Sequence, residues 1–145
     1  MILVDTNLLL YAHVSSYREH RDAREWFKEQ LSGSAMVGLP WQCLLGFVRL
    51  LGNPKIYSRP VPISESWKQV RQWLALDTVW IPEPTERHAD ILGDQLLAAG
   101  RNFNLVTDAH LATLAIEHGL TLCSADTDFA RFPTLRWTNP LAARG

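Results

Sequence analysis

Ile2-Leu3-Val4-Asp5-Thr6-Asn7 places a carboxylate, a hydroxyl and an amide directly after three apolar residues. The apolar residues predict a short buried strand, and the apolar run from Asn7 to His13 predicts a buried helix after it. A later stretch has the same form, since the predicted strand Leu120 to Cys123 ends in Ser124-Ala125-Asp126 and a short helix is expected at 127–132. Both stretches therefore predict a strand, an acidic turn and a helix in succession.

Helices and strands alternate between these two stretches. Apolar residues at helical spacing predict helices at 17–31, 41–51, 64–76, 85–99 and 105–118, and short apolar runs predict strands at 35–39, 78–81 and 135–137. Ser64 and Thr85 are expected to begin helices, and Gly100 and Gly119 to end them. Strands that are joined through helices form parallel sheets with both faces covered. We therefore expect an α/β fold, a three-layer α/β/α sandwich around a mainly parallel sheet of about five strands.

Composition favours one compact domain over residues 1–145. The chain has 47% hydrophobic and 20% charged residues, with only 8 Gly and 8 Pro, which excludes a disordered or collagen-like protein. The net charge of -1 excludes the strongly basic surface of a DNA-packaging protein.

The cysteines and the first apolar run predict a cytoplasmic protein. Cys43 and Cys123 are far apart and each lies in an apolar stretch, so we expect buried thiols rather than a disulfide or a zinc site. Tyr11 and His13 interrupt the run from Leu8 to Val14, which fits neither a signal peptide nor a membrane span.

Four aspartates are candidates for one acidic site. Asp5 and Asp126 follow predicted strands, Asp128 lies two residues later, and Asp108 stands near the start of a helix. Taken singly, Asp5, Asp108 and Asp126 could be helix N-caps, and Asp128 could complement a helix dipole. In parallel sheets, ligands bind beyond the carboxyl ends of the strands, so neighbouring strands would bring these carboxylates together.

Carboxylates held that close repel one another unless a cation or a shared proton joins them. Carboxylate oxygens without thiolate or imidazole partners suit Mg²⁺ or Mn²⁺. Thr6, Asn7 and Ser124 could position ligands or water by hydrogen bonding. The residues thus predict metal-assisted phosphodiester hydrolysis.

Other chemistries find little support. The five histidines show no paired ligand spacing and are expected to be structural, and neither a Gly-x-Ser-x-Gly motif nor a phosphate-binding Gly-rich loop is present. A receiver or phosphatase fold with Asp5 as phosphoacceptor would need a second aspartate two residues after Asp5 and a lysine after a late strand. This sequence has neither. Most of the six tryptophans stand at expected core positions, so no aromatic nucleic-acid platform is predicted.

The chain resembles the PIN domain, and in particular the VapC-type toxin ribonucleases of bacterial toxin-antitoxin pairs. The resemblance spans nearly the whole chain and depends on three stretches: Val4-Asp5-Thr6-Asn7, Asn104-Leu105-Val106-Thr107-Asp108-Ala109-His110-Leu111-Ala112 and Leu122-Cys123-Ser124-Ala125-Asp126-Thr127-Asp128-Phe129. It implies metal-linked carboxylates at Asp5, Asp108 and Asp126 with Asp128 nearby, Asn7 orienting the first acid, and Ser124 as the usual hydroxyl. It also implies Mg²⁺ or Mn²⁺, an RNA substrate, a homodimer and a cognate antitoxin.

One residue departs from the family pattern. Gly46 precedes Phe47-Val48-Arg49, where the resemblance implies a glutamate. Gln42, Asp90 and Asp94 are conceivable substitutes, with Asp94 preferred, although Asp90 and Asp94 could equally form a solvated helix face. A second function therefore stays open, a catalytically weak or inactive PIN domain that binds RNA or a partner protein without cleaving.

Basic residues suggest where RNA would lie. Arg18, Arg21, Arg24 and Lys28 form the basic face of the helix predicted at 17–31, and this face could line one side of a groove across a dimer. Arg49 could contact an RNA phosphate or pair with an acid. Antitoxin capture is expected in an apolar cleft among the early helices.

Overall fold

Five short parallel strands form the centre of the computed structural model, which describes residues 1–142. The strands are β1 Ile2–Val4, β2 Val37–Gly38, β3 Val79–Trp80, β4 Thr121–Cys123 and β5 Trp137–Thr138. Their order in the sheet is β3-β2-β1-β4-β5, and every pairing is parallel. The expected α/β sandwich with a sheet of about five strands is confirmed.

Six α-helices cover the sheet. They are α1 Thr6–His13, α2 His20–Leu31, α3 Trp41–Leu51, α4 Ile63–Leu74, α5 His88–Ala99 and α6 Val106–Glu117. Short 3₁₀ helices occupy Phe103–Leu105 and Thr127–Arg131. Among residues 1–142, no helix has the length and apolar character needed to cross a membrane.

The strand order reverses between β1 and β4. The chain steps from β1 to β2 to β3 in one direction, and then returns to β4 on the other side of β1. Because parallel crossovers are right-handed, helices α1 to α4 lie on one face of the sheet, and α5 and α6 lie on the other. Ligands in such sheets bind where the order reverses, which here is the carboxyl edge of β1 and β4.

Apolar packing fixes the two central strands against both helical layers. Leu3, Val4, Leu122 and Cys123 are at most 2% exposed. On α6 the small residues Ala109, Ala112 and Ala115 are fully buried, which lets this helix approach closely.

Several helix starts differ from the sequence-based expectation. The second helix begins at His20 rather than 17, because Tyr17 turns inward, with its ring against Tyr11 and its hydroxyl 2.7 Å from that of Tyr57. Arg18 therefore precedes the helix. The fourth helix follows Pro62 and has no side-chain cap at Ser64.

The expectation that Gly100 and Gly119 end two helices is confirmed for α5 and α6. Gly100 and Gly119 have φ of 62° and 66°, in the left-handed region that glycine adopts without strain.

Candidate active site

Asp5 lies where β1 ends and α1 begins. Its backbone N–H continues the sheet by donating to the Cys123 carbonyl on β4 at 3.0 Å. Its side chain caps α1, since Oδ1 accepts from the Thr6 backbone N–H at 2.7 Å. The N-cap alternative is therefore correct for Asp5, and it does not exclude a second role because Oδ2 points to the neighbouring strand end.

Ser124 and Asn7 join the two strand ends. Ser124 is fully buried, and its hydroxyl donates to Asp5 Oδ2 at 2.7 Å. The same hydroxyl accepts from Asn7 Nδ2 and from the Asp126 backbone N–H, each at 3.0 Å. Asn7 Oδ1 in turn accepts from the Ala125 N–H at 3.2 Å. The network holds Asp5 and the turn before Asp126 in one fixed arrangement.

Three further carboxylates meet beside this network. One oxygen each of Asp108, Asp126 and Asp128 lies within 4.8 Å of the other two. Asp126 also caps the 3₁₀ helix at Thr127–Arg131, because its Oδ1 accepts from the Asp128 N–H at 2.9 Å. Asp108 is the third residue of α6 and does not cap it.

Burial and mutual repulsion shift the pKa values of these acids. Burial raises the pKa of Asp108 to about 6, and the charges of Asp126, Asp5 and Asp128 act in the same direction. Burial also raises the pKa of Asp5, although hydrogen bonds from Ser124 and Thr6 oppose it. The four aspartates therefore act on one another across a small volume, as the strand positions predicted.

This donor set fits a hard divalent cation. The group offers several carboxylate oxygens within reach of one another, and the described residues place no thiolate or imidazole within it. A cation there would offset the repulsion that adds to the effect of burial on the pKa of Asp108.

Two residues on α3 lie next to Asp5. Cys43 is buried and directs its thiol at Asp5 Oδ1 over 3.9 Å, while burial holds the pKa of this thiol well above its ordinary value. Gly46 faces Thr6, whose hydroxyl donates to the Cys43 carbonyl at 3.1 Å. The sequence predicted only that Cys43 is buried, since nothing in a lone cysteine reveals a contact across 38 positions.

An open groove of about 1020 Å³ runs from this region along α3. Its walls include Thr6, Gln42, Gly46, Arg49 and Thr107. Gln42 crosses its end, with Nε2 donating to the Thr107 carbonyl over a long 3.4 Å. Arg49 is thus a cation in the groove beside the acids.

Other predicted residues lie elsewhere. Asp94 and Asp90 are exposed on α5, and neither belongs to the group of acids that meet at Asp108. Arg21 and Arg24 line a separate cleft on α2, while Arg18 is 95% exposed and lies 3.6 Å from Glu19. The structure therefore places Arg49, and not the three arginines of the α2 region, in the groove beside Asp5.

A buried hydrogen-bonded chain between α5 and α6 went unpredicted. Glu117 Oε1 accepts from the Thr85 N–H at 2.7 Å and from the Thr85 hydroxyl at 2.6 Å. Its Oε2 pairs with His88 Nδ1, and His88 Nε2 lies 3.0 Å from His110 Nδ1. Burial would raise the pKa of Glu117, but the hydrogen bonds from Thr85 and His88 hold it below its ordinary value.

The expected start of the helix at Thr85 is not observed, because α5 begins at His88. The Thr85 hydroxyl lies in the preceding turn, where it donates to Glu117 and accepts from the Arg87 backbone N–H at 3.2 Å. The Glu117–His88–His110 chain agrees with structural roles for His88 and His110.

Comparison with known proteins agrees with this geometry. Residues 2–135 match the PIN domain family model. The chain is 44% identical over 142 residues to ribonuclease VapC37 of Mycobacterium tuberculosis strain H37Rv, covering 98% of this chain and 99% of the relative. It is 38% identical over 141 residues to ribonuclease VapC33 of the same strain, covering 97% and 99%.

A solved structure shares the fold. VapBC2 from Rickettsia felis, bound to a DNA fragment from its promoter, superimposes with a TM-score of 0.67 at 18% identity, covering 96% of this chain and 98% of the other. The family match and the relatives show that the chain belongs to the PIN-domain family, in its VapC group.

Proposed function

We propose that the protein, a single PIN domain over residues 1–145, is a Mg²⁺- or Mn²⁺-dependent endoribonuclease and the toxin of a toxin-antitoxin pair. The observation that carries this proposal is the meeting of Asp108, Asp126 and Asp128 at the carboxyl edge of β1 and β4, with Asp5 close enough to raise the pKa of Asp108. The relatives named ribonuclease VapC37 and VapC33 support the same activity.

Asp108, Asp126 and Asp128 would hold the ion, with Asp5 beside them. When bound, the ion supplies positive charge to the phosphodiester and lowers the pKa of a coordinated water. Ser124, Asn7 and Thr6 fix the Asp5 carboxylate, so that it needs no reorientation when substrate arrives. Asp108 is ionised above a pH of about 6 and is then available as a ligand.

RNA would lie in the groove along α3. Arg49 is the cation there that can meet a phosphate, while the net charge of -1 supplies no general attraction. Arg18, Arg21 and Arg24 lie outside the groove of one copy, so they would extend the RNA-binding surface only across a homodimer.

The partner would be a cognate antitoxin in a cytoplasmic complex. A second cleft of about 440 Å³ lies among α1, α2 and α4, with Ala12, Phe27 and Trp73 on its walls and Arg24 and Lys28 at its rim. It matches the apolar cleft expected among the early helices, and an apolar floor with a basic rim suits an acidic amphipathic helix.

A second function is favoured by Gly46. The resemblance implies a carboxylate at that position, and its lack would weaken the hold on a cation. A PIN domain of this kind would bind RNA or its partner without cleaving it.

Metal binding and cleavage separate the two functions. Calorimetric titration with Mn²⁺ should show binding to the wild type, and about 10- to 100-fold weaker binding to Asp126→Asn. The same wild-type preparation should cleave end-labelled oligoribonucleotides with Mn²⁺ and not with EDTA. RNA binding without any products, in both Mg²⁺ and Mn²⁺, would support the binding-only function instead.

A further inference from the structure

A small cleft lies beside the acidic site, beyond the carboxyl ends of β2 and β3. Its volume is about 220 Å³, and its walls are Pro40, Trp41, Gln42, Pro82, Glu83, Pro84, His110 and Leu114. Adjacent strands are about 4.8 Å apart, so this cleft lies about one to two strand spacings from the end of β1 at Asp5. Gln42 is a wall of both the cleft and the groove at Thr6, so the two adjoin at this side chain.

Trp41 gives this cleft an exposed aromatic wall. Its indole is stacked on that of Trp67, with ring centroids 6.4 Å apart and an angle of 19° between the rings. The two residues are 38% and 39% exposed, so neither belongs to the core. A flat, supported indole at the edge of a groove is the surface on which unpaired bases stack.

The polar groups in the cleft suit a base and not a phosphate. Within the described part of the chain, none of its lining residues is Lys or Arg, and Glu83 adds a carboxylate. Glu83 can accept from an amino group of a base, and Gln42 offers one donor and one acceptor.

His110 adds an imidazole ring to the wall of the cleft. Its Nδ1 lies 3.0 Å from His88 Nε2, and His88 Nδ1 donates to Glu117, because a carboxylate only accepts. These contacts hold the His110 ring in one orientation beside the cleft.

We propose that the cleft between Trp41, Gln42 and His110 binds one unpaired, amino-bearing nucleobase of the RNA substrate. The proposal deepens the proposed ribonuclease function and rests on it. Trp41 stacks the base, Glu83 accepts from its amino group, and the adjoining phosphate stays in the groove near Arg49.

The test compares two RNAs, one whose base has an amino group at C4 (cytidine) and one whose base has a carbonyl there (uridine). Fluorescence anisotropy in EDTA, which prevents cleavage, measures the binding of the full chain to single-stranded octamers of cytidine and of uridine. We expect tighter binding of the cytidine octamer. Trp41→Leu should weaken its binding about tenfold, whereas Trp41→Phe, which keeps a ring, should stay within about threefold of wild type.

Two variants complete the design. Glu83→Gln should reduce the preference for cytidine over uridine, because an amide can also donate to the uracil carbonyl. Leu97→Ala, on α5 and 81% exposed, serves as the surface control and should bind as the wild type does. Urea unfolding of each variant shows that it is folded.

Three results would overturn the proposal. The first is equal binding of both octamers by the wild type, and the second is unchanged binding by Trp41→Leu. The third is a change in the oligomeric state of Trp41→Leu, measured by light scattering, since it would make the tryptophan pair a contact between copies of the chain. Metal-dependent RNA cleavage that survives in Trp41→Leu, with unchanged binding, would leave the ribonuclease function standing without this cleft. If the wild type itself cleaves no RNA with Mg²⁺ or Mn²⁺, the ribonuclease function is rejected instead.

Discussion

Thr6 fills the space beside Gly46. A Cβ added at Gly46 would lie 2.8 Å from Thr6 Oγ1, closer than side chains approach in folded proteins. Thr6 also donates its backbone N–H to Asp5 and its hydroxyl to the Cys43 carbonyl. A side chain at position 46 therefore competes with the residue that follows the first catalytic candidate.

Gly46→Ala should destabilise the protein although alanine favours helices over glycine by about 1 kcal/mol. The new methyl group must displace the Thr6 hydroxyl and break its hydrogen bond, which costs about 1–3 kcal/mol. Urea unfolding at neutral pH measures the change.

The matched control is Thr6→Ala with Gly46→Ala. Without the Thr6 hydroxyl and methyl, position 46 has room, so the double variant should be at least as stable as Thr6→Ala alone. An increase in stability for Gly46→Ala by itself would show that Thr6 does not occupy this space.

Asp108 makes the metal-free protein sensitive to pH. Its pKa is about 6 when folded and 3.8 at its ordinary value, so folding favours its protonated form. That contribution to stability is fully present below pH 3.8 and is lost as the pH rises through 6. In EDTA at pH 7.5, Asp108→Asn should therefore be more stable than wild type, by about 1 kcal/mol after screening by solvent.

The difference in the free energy of unfolding between Asp108→Asn and wild type should be smaller at pH 5. Urea unfolding at both pH values, in EDTA, provides the comparison. A difference in the free energy of unfolding that does not depend on pH would show that neither burial nor repulsion raises the pKa of Asp108 in the folded protein.

Glu117 should contribute more to stability than its single charge suggests. Glu117→Leu leaves both Thr85 donors and His88 without their acceptor, which should cost about 3–5 kcal/mol in the free energy of unfolding. Exposed Glu86 is the matched control, and Glu86→Leu should change stability by less than about 0.5 kcal/mol. Similar small effects for both variants would contradict the buried chain.

Arg49 should account for part of the salt dependence of RNA binding. Arg49→Glu should weaken binding and lower the slope of log affinity against log salt by about 1, since one phosphate contact is lost. Charge reversal at Arg21 and Arg24 together should lower the slope further if, as we propose, a second copy brings them to the groove. An unchanged slope would remove that pair from the footprint.

The order of strands and helices followed from the sequence because buried strands and amphipathic helices leave strong apolar patterns. Asp5 and Asp126 were located for the same reason, since each directly follows such a strand. Helix starts were less predictable. Thr85 has the chemistry of a cap, yet α5 begins three residues later at His88, and Thr85 is held by Glu117, 32 positions away.

Contacts across the fold explain what else was missed. The Cys43 contact with Asp5, the closeness of Gly46 to Thr6 and the stacking of Trp41 on Trp67 depend on how α3 packs against α1 and α4. The spacing of residues along one helix does not reveal which residues of another helix they contact. Asp94 shows the converse, because its place on a helix face suggested a ligand while the fold exposes it on α5.

The acidic site is tested most directly by incubating total cellular RNA with the purified, antitoxin-free chain in Mg²⁺, in Mn²⁺ and in EDTA. Asp5→Asn and Asp126→Asn are the test variants, and exposed Asp77→Asn, before β3 at the opposite edge of the sheet, is the control. We predict discrete fragments with either metal and none with EDTA. Asp77→Asn should cleave at the wild-type rate, and the two site variants should cleave about 100-fold more slowly or not at all. Equal cleavage by Asp5→Asn, or cleavage that persists in EDTA, would contradict a metal-dependent site at these carboxylates.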